Sequence, residues 1–247
     1  MDSSWIQTSV DEKNMNIYSG SPTSRPPEGG KFPAIIVAQA AGGVDDFIQN
    51  IVDRLSEEGY IALAPDLYHR TTPQKEQSTG KTRRQLLVDH EIVRDINATV
   101  QYLQQDPLVD NSKIGITGFC MGGRVTWLAA VSNPYFKAAV PFYGGFIFDS
   151  WGDTDNSPFE LSFQLNCPMM FHFGSIDPNP SIADMKILDE ELTRLDKPHQ
   201  FFEYPDANHR FMDHTFDNYQ AEAANLSWSR TLDFFRKHLT NSKPNGS

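Results

Sequence analysis

The chain has 247 residues, 39% of them hydrophobic and 21% charged, with 32 acidic against 21 basic side chains for a formal charge of −11. That composition belongs to a globular chain long enough for one sizeable core, and it excludes collagen-like or wholly disordered sequences. The acid excess argues against a nucleic-acid partner and against attraction to an anionic membrane surface.

The first 20 residues, MDSSWIQTSVDEKNMNIYSG, have neither the basic stretch nor the apolar stretch of a secretory leader. No run approaches the roughly 18 apolar residues of a membrane span. With only Cys120 and Cys167, and no zinc or disulfide pattern, a reduced, cytoplasmic setting is expected. Residues 1–9 and 240–247 read as frayed ends. FPAIIVAQ (32–39) is a strand buried on both faces, and 44–59 carries Phe47, Ile48, Ile51, Val52 and Leu55 at helical spacing. YIALAPD (60–66) is the next strand, followed by a polar loop over 69–81 and a long amphipathic helix over 83–105.

KIGITGF (113–119) is a third strong strand, with a helix behind it over 121–133. KAAVPFYG (137–144) and PMMFHFG (168–174) are strands too, separated by an aromatic-rich insertion over 145–166. A helix over 182–195, a strand HQFFEYP (199–205) and a helix over 221–239 complete the pattern. Repeated βα units with short connections predict a single α/β domain, residues 1–247 with its core over 32–239. Its sheet should be mostly parallel, with helices on both faces.

The sharpest local signal is Gly118-Phe119-Cys120-Met121-Gly122, a G-x-C-x-G between a buried strand and a helix. That is the setting of a nucleophile elbow, a sharp turn that lifts a side chain above the sheet. A cysteine there sits at a helix N-terminus, where the dipole and unpaired N–H groups favour thiolate. The competing reading is a small buried cysteine in a glycine-rich turn. In α/β-hydrolases the chain order is nucleophile, acid, base. Asp177 in FHFGSIDPNPS and His209 in FEYPDANHRF follow that order, each just past a strand, where ligands bind in open α/β sheets. Taken singly they could be a helix cap and a surface histidine; together they complete a Cys120–His209–Asp177 set. Oxyanion donors are expected from the backbone N–H groups of Met121 and Ala41.

From about Phe32 to Leu239 the chain resembles the dienelactone hydrolase family of α/β-hydrolases, through PAIIVAQ, GYIALAPDLYHR (59–70), GFCMGG (118–123) and the loops of Asp177 and His209. The resemblance implies an α/β-hydrolase fold and a Cys–His–Asp triad hydrolysing esters or lactones, with no metal and no cofactor. It also exposes two departures. The family typically has an acidic residue where this chain has Ala40, and an Arg four residues after the histidine where this chain has Asp213.

Several further residues are candidates for substrate contact: Ala40, Tyr68, Arg83, Tyr143, Trp151 and Arg210. Arg84 is a second possible carboxylate partner, and Phe146, Phe148 and Phe159 of the insertion could wall a pocket or simply pack on the sheet. His172 and Cys167 read as core residues. His209, Asp213 and His214 lack the ligand set of a metal site. The expected partner is a small-molecule ester or lactone, with no nucleic acid and no membrane, bound by a monomer or homodimer. Two rivals stay open: a hydrolase of larger neutral or polyketide-like esters, and a non-catalytic ligand-binding protein that kept the fold.

Overall fold

The computed structural model describes residues 2–24, 26, 30–152 and 155–240. Eight strands form one sheet: β1 (Asp2–Val10), β2 (Lys13–Ser21), β3 (Phe32–Ala38), β4 (Ile61–Pro65), β5 (Val109–Phe119), β6 (Phe136–Phe142), β7 (Met169–Gly174) and β8 (His199–Tyr204). Their order is β1-β2-β4-β3-β5-β6-β7-β8. The first two pairings, β1 with β2 and β2 with β4, are antiparallel, and the rest are parallel. The helices are α1 (Asp46–Glu57), α2 (Pro73–Thr79), α3 (Asp89–Gln105), α4 (Met121–Ser132), α5 (Ile182–Arg194) and α6 (Ala221–Leu239).

The core lies in two layers, one on each face of the sheet. Ile48, Ile51 and Leu55 of α1 and Trp228, Leu232 and Phe235 of α6 fill one layer. The other takes Ile92, Ile96 and Val100 of α3, Val125 and Leu128 of α4, and Met185 and Leu188 of α5. β3 is buried at every position, which explains its unbroken apolar sequence.

Three expectations are corrected. Residues 2–9 are not frayed: they lie in β1, paired residue for residue with β2 from Asp2↔Ser21 to Val10↔Lys13. The hairpin turns on Asp11 and Glu12, both with positive φ, and Asp11 accepts hydrogen bonds from Arg70 (2.9 Å) and Arg94 (2.8 Å). The polar stretch 69–81 contains α2, whose Thr72 cap, Pro73 start and left-handed Gly80 stop define a short exposed helix. The helix expected over 83–105 is broken. A 3-10 turn, Arg83–Leu86, is closed by a Thr82–Gln85 capping box, and extended Leu87 and Val88 precede α3. The ending expected to fray beyond 240 lies outside the described residues.

Candidate active site

β5 ends at Phe119, and Cys120 turns the chain into α4 with φ 58° and ψ −118°. A non-glycine residue in that region is strained, and the surroundings must hold it there. The Cys120 N–H donates to the Phe142 carbonyl at 3.1 Å. Only glycine fits on either side of the bend. A Cβ on Gly118 would lie 2.2 Å from the Gly122 carbonyl oxygen, and one on Gly122 would lie 2.1 Å from that of Ala38. The glycines of the motif therefore serve close backbone approach, which brings the start of α4 against the end of β3.

Asp177 and His209 arrive from the ends of β7 and β8. Asp177 is buried, and its Oδ1 accepts the Asn179 N–H at 2.9 Å. Its Oδ2 lies 2.8 Å from His209 Nδ1. Cys120 lines the same cleft as the imidazole, whose charge acts on the thiol. Burial works against the histidine's charge, but the hydrogen bond to Asp177 and the pull of Cys120 outweigh it and raise His209 to about 9. Burial likewise pushes the Cys120 thiol up. The pull of His209 and the Met121 N–H prevail and bring it below the ordinary value. Opposite shifts in a thiol and an imidazole of one cleft favour the thiolate–imidazolium form.

The three side chains open on a cleft of about 280 Å³, whose walls include Ala41, Met121, Arg84, Phe146, Trp151 and Asn179. Ala41 and Met121 line the same cleft as the thiol. Of the six residues weighed for substrate contact, Trp151 lines this cleft and the other five do not. Tyr68 supports it from behind, with its hydroxyl 3.0 Å from the Ala41 carbonyl oxygen and 3.4 Å from the Met121 sulfur. Arg83 lies over the Tyr68 ring at 4.5 Å and donates to the Gly42 carbonyl at 2.8 Å. Tyr143 is buried at positive φ, with its ring against His209 at 5.1 Å between centroids. Arg210 stacks on Phe216 at 4.1 Å. Ala40 is buried and bridged to Gly43.

Among the insertion aromatics, Phe146 and Trp151 reach the cleft, whereas Phe148 and Phe159 pack on each other with centroids 4.9 Å apart. His172 is a core residue, held between the Thr231 and Tyr204 hydroxyls and pushed down to about 3 by burial. Cys167 is buried and pushed up to about 12. Asp213 accepts from the Thr215 amide (3.1 Å) and hydroxyl (2.7 Å). Among the described residues, no group of three or more His, Cys, Asp and Glu is placed to hold a metal ion, and no helix is long and apolar enough to cross a membrane.

Sequence reasoning missed Asp89, Arg124 and Asn179, which fix the cleft wall and the acid. Arg124 did carry a signal: it is the single charge in α4, and a cation in an otherwise apolar helix needs a partner.

The family model of the dienelactone hydrolases matches residues 18–239. A relative from Methylorubrum extorquens, provisionally named a carboxymethylenebutenolidase, is 35% identical over 220 residues, covering 86% of this chain and 75% of that protein. A protein of Bradyrhizobium sp, provisionally named a 2-oxo-3-(5-oxofuran-2-ylidene)propanoate lactonase, is 32% identical over 95% of this chain and 94% of its own. A crystal structure from Klebsiella pneumoniae, provisionally called a dienelactone hydrolase, superposes with a TM-score of 0.82 at 28% identity, covering 96% of this chain and 100% of that one. On its sequence, its strand order and its elbow, this chain belongs to the dienelactone hydrolase family of α/β-hydrolases.

Proposed function

We propose that the protein hydrolyses carboxylic esters or lactones through Cys120, His209 and Asp177, by way of an acyl-thioenzyme. The observation that carries this reading is the meeting in one cleft of a strained cysteine and an imidazole whose Nδ1 is held by a buried carboxylate. The lactone-directed names of its relatives support the substrate class.

The Cys120 thiolate attacks the carbonyl carbon, and the carbonyl π electrons move onto oxygen. The N–H groups of Met121 and Ala41 are the donors for that oxyanion. Collapse of the tetrahedral species expels the alkoxide, which takes the imidazolium proton from His209; in a lactone the alkoxide stays tethered to the acyl group. Water then gives a proton to His209 and adds to the thioester carbon, and the second collapse returns the thiolate. Asp177 holds the imidazole in orientation and balances its charge throughout. Arg84, on the cleft wall, is the candidate partner for a substrate carboxylate.

The test is hydrolysis of 4-nitrophenyl acetate and of a small lactone by wild type and Cys120→Ala. The reading requires turnover that falls at least about 10³-fold in the variant, as loss of a catalytic nucleophile does. A wild-type protein that binds ester or lactone without turning it over would instead support the ligand-binding rival.

A further inference from the structure

Arg124 lies on α4 one turn past Cys120, and its side chain is 0% exposed. Its guanidinium makes a two-pronged pair with Asp89 at the start of α3, Nη1 to Oδ1 at 2.6 Å and Nη2 to Oδ2 at 2.9 Å. The remaining donors do not go to the core. Nε donates to the Phe146 carbonyl at 2.9 Å and Nη2 also to the Asp149 carbonyl. The guanidinium carbon stands 3.9 Å from the centre of the Trp151 ring. Asp89 grips the same segment from its other side: Oδ2 accepts the Trp151 N–H, and the Asp89 N–H donates to the Trp151 carbonyl, both at 2.9 Å. Through these bonds the pair holds Phe146, Asp149 and Trp151.

Trp151 lines two cavities. One is the catalytic cleft; the other, of about 300 Å³, is lined by Lys81, Gln85, Leu87 and Ser150 and shares Arg84 and Trp151 with the first. We propose that Arg124 and Asp89 are specificity-determining positioning residues. They fix Trp151 as a wall shared by the two cavities, and so limit the size of the group that the catalytic cleft admits. This rests on the ester or lactone hydrolase reading above. The physical case is that an irregular segment carrying bulky rings keeps one position only when its backbone is tied, and here the ties converge on one buried pair.

The experiment measures kcat/KM for 4-nitrophenyl acetate, 4-nitrophenyl benzoate and naphthyl acetate in wild type, Trp151→Ala and the double variant Arg124→Met/Asp89→Leu. The double change removes both charges together, so no orphaned ion is left in the core. The preference for the small ester over the two bulky ones is expected to fall about tenfold or more in both variants, an effect on relative transition-state binding. The pH profile of Cys120 alkylation by iodoacetamide, which needs no wall, should stay as in wild type. A double variant with selectivity within about twofold of wild type overturns the proposal, because such a pair would then serve folding alone. Should the double variant not fold, Arg124→Lys, which keeps the charge but loses the fork to both carbonyls, carries the same requirement. Absence of turnover in the wild type would refute the hydrolase reading itself, which separates the two failures.

Discussion

Replacing Asp177 by Asn tests the proposed triad at its buried end. Both carboxylate oxygens are committed, Oδ2 to His209 Nδ1 at 2.8 Å and Oδ1 to the Asn179 N–H at 2.9 Å. Asparagine keeps the volume and has one acceptor. If that acceptor stays on Asn179, its NH₂ faces Nδ1, and the imidazole must carry its proton on Nε2, towards Cys120. The histidine then cannot take a proton from thiol or water. The rise of His209 from 6.5 to about 9 corresponds to on the order of 3 kcal/mol in favour of imidazolium. Two anionic partners share it, so losing the carboxylate removes on the order of half, or about a tenfold loss of the ion-paired form. Cys120 alkylation by iodoacetamide near neutral pH should therefore slow about tenfold, with its pH profile moving towards that of a free thiol near 8.5. Ester turnover should fall much further, about 10³-fold or more, because the wrong tautomer disables both proton transfers. Mass-spectrometric alkylation kinetics from acid to alkaline pH give the first number, and steady-state hydrolysis gives the second. An Asp177→Asn protein with the wild-type alkylation profile would refute the reasoning, since the carboxylate would then have no electrostatic hold on the thiol.

Two further outcomes follow from the shifted histidines. His209 is raised to about 9, so the proposed general acid is retained through neutral pH and lost above it. Turnover should decline as pH rises past about 9, and a rate still climbing at pH 10 would argue against that role. The sign is opposite for His172, which is depressed to about 3 from 6.5. Its stability contribution is complete above 6.5 and lost as pH falls, at about 1.4 kcal/mol per pH unit, because the unfolded chain gains the proton first. Thermal unfolding between pH 7 and pH 4.5 should show that slope in wild type and a flatter one in His172→Gln.

The elements that the sequence announced are those with unbroken burial. β3 and β7 are buried at every position, β5 over its last six residues (114–119), and the helices behind them carry clean apolar stripes. The site was legible for a related reason: the elbow needs glycines where the backbone closes to within contact, and such a requirement is written locally. The N-terminal hairpin was not. Its outer strand is an edge with most side chains exposed, and its turn uses Asp11-Glu12 rather than the Asn-Gly or Asp-Gly that favours positive φ. The break before α3 was hidden because Leu86, Leu87 and Val93 continue the helical period. What ends the regularity is tertiary, the grip of Asp89 on Trp151 and Arg124. The cleft wall depends on contacts between residues 35 and 62 positions apart, which no local window contains.

The two departures from the family pattern acquire a physical reading together. At position 40 the side chain is a methyl, in the same apolar cluster against which Cys120 packs. The thiol's acidity rests on His209, the Met121 N–H and the charge of Arg210. At position 213 the carboxylate turns into its own loop and is capped by Thr215. An acid at 40 without an arginine at 213 would be a buried charge with no partner, next to a group that also has to carry negative charge. Ala40→Glu is therefore expected to destabilise the protein by about 3 kcal/mol or more and to slow Cys120 alkylation at neutral pH, since a neighbouring carboxylate disfavours thiolate. Adding Asp213→Arg should recover part of both losses by supplying the missing cation. Melting temperature and alkylation rate measured on the two variants decide the matter. If Ala40→Glu alone made the thiol more reactive at unchanged stability, the activation ascribed to His209 and the helix start would be incomplete, and the family's acid would be an ally of the thiol that this chain has lost.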